Sequence, residues 1–110
     1  MSGRNGTTTF IMQRASAVLL LPLVAWFVWS VAAHAGDDLA GARLWAGKPM
    51  NTILLGAFVT VGAFHMRIGM MEVIEDYIHG GLNSILNALN WLVAIAVAGA
   101  TWWALLSLPA

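Results

Sequence analysis

Ala15 to Ala33, ASAVLLLPLVAWFVWSVAA, carries no charged side chain over the length a helix needs to cross a hydrocarbon core of about 30 Å. No other feature constrains the fold so strongly, because lipid offers no hydrogen-bond partner to a backbone amide. The segment must satisfy its own N–H and C=O groups, as a helix does and an isolated strand does not. Further apolar runs follow at about 52–72 and 82–108. As far as Met71, the first of these carries Arg67 as its only formal charge, which is expected to snorkel toward the nearer membrane face. The expected fold class is all-α integral membrane. Residues 1–14 form a polar N-terminal segment, and 15–110 form a single membrane domain with spans at about 15–33, 52–72 and 82–108.

Composition agrees with this reading. Only 9% of the residues are charged and 60% are hydrophobic, whereas a soluble domain is about a quarter charged. The formal net charge is zero and no basic run is present, which argues against nucleic acid as a partner. With no Cys in the chain, disulfides, thiolate metal sites and iron–sulfur clusters of its own are excluded. Six Trp fit interfacial anchoring, with Trp91, Trp102 and Trp103 as belt candidates, though a packing role suits such rings equally.

Between the runs the sequence is well punctuated. Pro22 allows a kink in the first span, its freed carbonyl being satisfied by neighbouring groups. Ala33-His34-Ala35 before Gly36 has the form of a signal-peptide cleavage site. The preceding apolar stretch is longer than a signal's, however, and Trp26, Phe27 and Trp29 crowd the site, so a retained span is expected. Gly36, Asp37, Asp38, Gly41, Gly47 and Pro49 break His34 to Asn51 into a loop, with a short interfacial helix around Leu39 to Ala46. Gly80-Gly81 stops the second long helix. Asn83, Asn87 and Asn90 recur at helical spacing, either to bond a partner helix or to form a polar entry turn. Three spans place the termini on opposite sides, and Arg4 and Arg14 favour a cytoplasmic N-terminus.

The polar residues concentrate in Phe64 to Gly80, FHMRIGMMEVIEDYIHG. At about 100° per residue, His65, Gly69, Glu72 and Asp76 fall on one side of a helix. A neutral imidazole inside an apolar helix needs a partner, which a metal or another helix could supply. Gly69 removes side-chain bulk one turn on, either for close helix packing or for something flat lying against the backbone. Haem iron is a natural ligand for such a histidine. Arg14 is the cation best placed on this chain for haem propionates, and Arg14, Ser16, Asp76 and Tyr77 are expected to be neighbours at the cytoplasmic boundary. Nearer that boundary, Asp76 and Tyr77 suit a quinone carbonyl, although Tyr77 also fits an ordinary belt tyrosine. His34 and His79 lie too far from His65 in depth to complete a bis-histidine site, and His34 is expected to be solvated at the membrane edge.

The spacing H-x3-G-x6-D-Y, from His65 through Gly69 to Asp76-Tyr77 and on into Ile78-His79-Gly80, resembles the smaller, D-type membrane anchor of succinate dehydrogenase, respiratory complex II. Gly3-Arg4-Asn5-Gly6 and Phe10-Ile11-x2-Arg14-Ala15 resemble the bacterial members. The resemblance implies that His65 is an axial ligand of haem b, with the other axial His coming from a C-type cytochrome b anchor. It implies that Tyr77 bonds ubiquinone, that Asp76 belongs to the same site, and that Arg14 stands near the propionates; Gly69, one turn from His65, is then a candidate for haem packing. An iron–sulfur subunit and a flavoprotein subunit would complete a larger helix-bundle complex in a bacterial inner membrane. Arg67, Glu72 and Glu75 are local departures that would alter the electrostatics of these sites. An alternative of a different class is a small proton or cation transporter or channel subunit, using His65, Glu72 and Asp76 as its path.

Overall fold

The computed structural model describes the backbone of residues 3–108 and the side chains of residues 6–108. The side chain of Arg4, used above for orientation, lies outside the described residues, as do residues 1, 2, 109 and 110. Four helices follow in order: α1 Gly3–Ala33, α2 Leu39–Gly47, α3 Pro49–Tyr77 and α4 Gly81–Leu106. Among the described residues no strand forms. Three of the helices, α1, α3 and α4, are long and apolar enough to cross a membrane, so the chain is a multi-pass helical membrane protein. Its extents are 49 × 25 × 21 Å.

Helix α1 begins well before Ala15, so the polar stretch ahead of Arg14 is continuous with the first span. Nothing between Gly3 and Arg14 stops a helix: no proline occurs there, and Gly6 costs only about 1 kcal/mol relative to alanine. The α-helix also runs through Pro22 without a break.

Short caps fix the connections. Asp38 accepts a 2.8 Å hydrogen bond from the Gly41 amide and so starts α2. Asn51 Nδ2 donates to the Trp45 carbonyl (2.8 Å) and Thr52 Oγ1 to the Ala46 carbonyl (2.7 Å), so the first turn of α3 holds the last turn of α2. Lys48 is extended and Pro49 takes the first turn of α3, where a missing N–H costs nothing. At the other end of α3, Gly80 has φ +75, a conformation that favours glycine. Asn83 Nδ2 then donates to the Ile78 carbonyl at 2.8 Å, satisfying an acceptor freed at the end of α3.

Helix α4 is fastened to α3 at two depths. Nearer the Gly80 turn, Asn90 Nδ2 donates to the Arg67 carbonyl at 2.8 Å, and the Arg67 guanidinium carbon stands 3.9 Å from the centre of the Trp91 ring. Consecutive residues of α4 thus hold one residue of α3. Arg67 does not snorkel: an aromatic face at its own depth, reinforced by Phe64 at 5.4 Å, replaces part of the hydration that the interface would offer. Nearer the other face, Trp102 Nε1 donates to Thr60 Oγ1 at 2.8 Å, and its ring fills the space over Gly56, where a Cβ would collide with it. Trp91 and Trp102 are therefore packing residues, while Trp103 is 77% exposed. Of the three asparagines, Asn90 bonds a partner helix, whereas Asn83 and Asn87 serve the turn.

Candidate functional site

Helices α1 and α3 run antiparallel, and their contacts step along both: Phe27 stacks on Phe58 with centroids 4.8 Å apart, Leu20 lies against Gly62, Ser16 meets His65, and Gln13 covers Gly69. This register sets what surrounds His65. The imidazole is half-buried on the face toward α1, with Nδ1 2.9 Å from Ser16 Oγ. Ser16 is 4% exposed, and its Oγ also stands 3.0 Å from the Gln13 carbonyl oxygen. Among the described residues Nε2 of His65 has no hydrogen-bond partner. The site thus offers one basic nitrogen, held from the far side of the ring, about 18 Å along α3 from Tyr77.

One turn beyond, the Gln13 amide nitrogen would lie 3.4 Å from a Cβ at Gly69. In the described chain, then, the room beside Gly69 is taken by Gln13. The Gln13 Oε1 is buried with no partner, an acceptor still open to a donor. Toward the end of α3 a cleft of about 550 Å³ opens between the helices, lined by Gln13, Arg14, Glu72, Glu75 and Asp76 together with Gly6, Thr9 and Phe10. Arg14 lies over Phe10, 5.3 Å from the ring centre, and closes no ion pair with the three carboxylates. The cation and the acids share one cleft, with the guanidinium available to an anion.

The structure separates two expected neighbours of Asp76. Ser16 stands beside His65, deeper than the boundary at which it was expected, because Arg14 and Ser16 are level with the His65 turn in the antiparallel register. Tyr77 does not line the cleft with Asp76; adjacent helical positions diverge by about 100°, and Tyr77 is 79% exposed on the outside of the bundle. On that side, Met66 (73%) and Val73 (50%) are also exposed, giving an uncovered apolar strip from the level of His65 to Tyr77. At the opposite end of the molecule, His34 pairs with Asp37 at 2.8 Å and lies against Trp45. It remains exposed at a helix end and takes no part in the His65 site.

Sequence reasoning missed Gln13 and misplaced Ser16. Their signal is faint but present: three residues apart on α1, they share a face, and pairing that face with His65 and Gly69, four apart on α3, fixes the register. Among the described residues no group of three or more His, Asp or Glu gathers to hold a bare metal ion. A lone imidazole fits a metal that brings most of its own ligands, as porphyrin iron does.

A bundle of three spans with a half-buried histidine, an arginine sharing a cleft with carboxylates and a large uncovered apolar surface defines the class: an integral membrane subunit. The chain belongs to the succinate dehydrogenase/fumarate reductase transmembrane subunit family, whose sequence pattern matches residues 1–106. It is 30% identical over 78 residues to the succinate dehydrogenase hydrophobic membrane anchor subunit of Rickettsia conorii, a match covering 70% of this chain and 62% of that protein. The Rickettsia bellii subunit of the same name is 32% identical over 89 residues, 80% of this chain and 69% of the relative. The succinate dehydrogenase membrane anchor subunit of Reclinomonas americana is 29% identical over 80 residues, 70% of this chain and 67% of the relative. The match thus spans under two thirds of the Rickettsia conorii protein. No solved structure matches the chain significantly. Membership of this family does not favour the transporter or channel reading.

Proposed function

We propose that this chain is a membrane anchor subunit of succinate:quinone oxidoreductase that helps hold haem b and ubiquinone, so that electrons from succinate reach the quinone pool. The observation that carries the reading is His65, whose Nδ1 is held by Ser16 while Nε2 is left without a partner, in a chain whose family pattern runs through residues 1–106. Haem b, when bound, supplies a one-electron store within the membrane. His65 would hold its iron through Nε2. A further histidine would have to come from a C-type cytochrome b anchor subunit, because His34 and His79 of this chain lie at helix ends. Arg14 would balance propionate charge, and Gly69 would admit the macrocycle on the same face once the Gln13 side chain, which covers it in the chain alone, swings aside.

At the end of α3, the Tyr77 phenol donates a hydrogen bond to a carbonyl oxygen of ubiquinone, and Asp76 is the adjacent acid for proton delivery. The exposure of Tyr77, 79% in the chain alone, suits a site completed by other subunits: an iron–sulfur subunit closes it, and a flavoprotein subunit oxidises succinate. The N-terminal end of α1 and the Gly80 turn face the cytoplasm of a bacterial cell, 15–110 form the single anchor domain, and the spans lie in the inner membrane within a larger heteromeric bundle.

Quinone reduction in membranes tests this directly. Tyr77→Phe lowers succinate-driven ubiquinone reduction by about tenfold, the equivalent of one lost hydrogen bond, while succinate oxidation with a soluble artificial acceptor stays near native. Equal loss of both activities contradicts the quinone role. Purification through a tag on this chain is expected to bring the flavoprotein and iron–sulfur subunits with it; recovery of this chain alone contradicts the anchor role.

A further inference from the structure

Ser16 is among the few buried polar side chains of the molecule, 4% exposed, and it makes two contacts at once. Its Oγ is 3.0 Å from the Gln13 carbonyl oxygen and 2.9 Å from His65 Nδ1. A serine hydroxyl has one proton to donate and two lone pairs to accept with. The carbonyl oxygen has no proton, and two oxygens 3.0 Å apart with none between them repel. The hydroxyl proton therefore belongs to Gln13, and the contact with Nδ1 is a hydrogen bond only if Nδ1 donates. A neutral imidazole carries a single N–H, so Nε2 holds the free lone pair. The opposite tautomer would lose one of the two hydrogen bonds and leave Nε2 capped by a proton, unable to bind a metal.

We propose that Ser16 is a positioning residue for His65. By accepting from Nδ1–H it selects the tautomer that ligates through Nε2, and by doing so from another helix it fixes the plane of the ring. The inference rests on the haem reading above and adds a residue to it. The contacts of Ser16 are with His65 Nδ1 and the Gln13 carbonyl, so it would act through the imidazole and not on the metal. Its acceptor bond also makes the ligand more electron-rich, which favours the oxidised iron, so its removal raises the midpoint potential of the haem.

The test uses the whole complex purified through a tag on this chain, native and with Ser16→Ala, Ser16→Thr or Ser16→Cys. Each sample is read for haem per complex, midpoint potential and the electron paramagnetic resonance g-values of the ferric haem. Ser16→Ala is expected to weaken haem retention by about 10- to 100-fold, the usual cost of losing an outer-shell partner, and to raise the potential of the haem that remains. Ser16→Thr, which keeps the hydroxyl, restores native values. Ser16→Cys keeps the volume with a weak acceptor and shifts the potential in the same direction as alanine, so it serves if the alanine variant fails to assemble. Native retention, potential and g-values in Ser16→Ala or Ser16→Cys overturn the inference, as does a Ser16→Thr complex no better than alanine. A native complex without haem overturns the haem reading itself, a failure seen in the native sample alone.

Discussion

Arg67 shows how much a single side chain can decide inside a membrane. A guanidinium within a transmembrane helix normally marks a pairing or a pathway, yet this one has no carboxylate partner among the described residues and lies 3.9 Å over Trp91. Its Nε is buried and unpartnered. The ring face is then the main stabilising contact of the charge, worth about 2 kcal/mol when water is excluded. Trp91→Leu is expected to lower the thermal stability of the detergent-solubilised complex by roughly that amount, and Arg67→Leu in the Trp91→Leu background to recover part of the loss by removing the stranded charge. Unchanged melting in both variants contradicts the pairing. Sequence alone pointed to snorkelling because it shows the depth of Arg67 and not which ring of α4 stands opposite. The acid cluster and His65 were legible for the converse reason: their spacing lies within one helix and needs no knowledge of a neighbour.

Among the elements, the spans and their stops were readable from local chemistry. Uncharged runs mark α1, α3 and α4, and Asp38 starts α2; the glycine pair expected to stop α3 instead turns the chain into α4, since α3 has already ended at Tyr77 with Ile78 extended. Helix packing was not readable, since it depends on which small residue meets which large one. Gly56 illustrates this: in the sequence it is one of several small residues of α3, and in the structure it is the glycine that lies under the Trp102 ring. Gly56→Val is expected to cost about 1–3 kcal/mol by overpacking and to free the Trp102 indole from Thr60. The measurement is Trp fluorescence of the complex alongside its melting temperature, and a native spectrum and native melting contradict the packing. Ser16 and His65 belong to the same category, because their meeting follows only from the register of α1 on α3. The extension of α1 back to Gly3 likewise escapes a reading by hydropathy, which finds where lipid begins and not where a helix does.

At the scale of the whole molecule, the described chain has almost no interior. Ile68 and Ile74 are the buried hydrophobic side chains among the described residues, and large apolar residues are exposed along all three long helices, among them Leu21 at 71%, Met66 at 73% and Leu106 at 74%. Lipid covers some of this surface, but lipid does not complete a site with one histidine nitrogen, an open glutamine acceptor and an arginine facing a cleft. That incompleteness is what a subunit of a larger bundle requires, and under the proposed function this chain supplies only its own side of each cofactor site. The central claim, that His65 is a haem ligand, is tested most directly by the reduced-minus-oxidised visible spectrum of the complex purified through this chain, native against His65→Ala. The account predicts a b-type signal in the native complex that is lost or shifted in a variant retaining all its subunits. An unaltered b-type signal in that assembled variant, or a native complex with none, would contradict it.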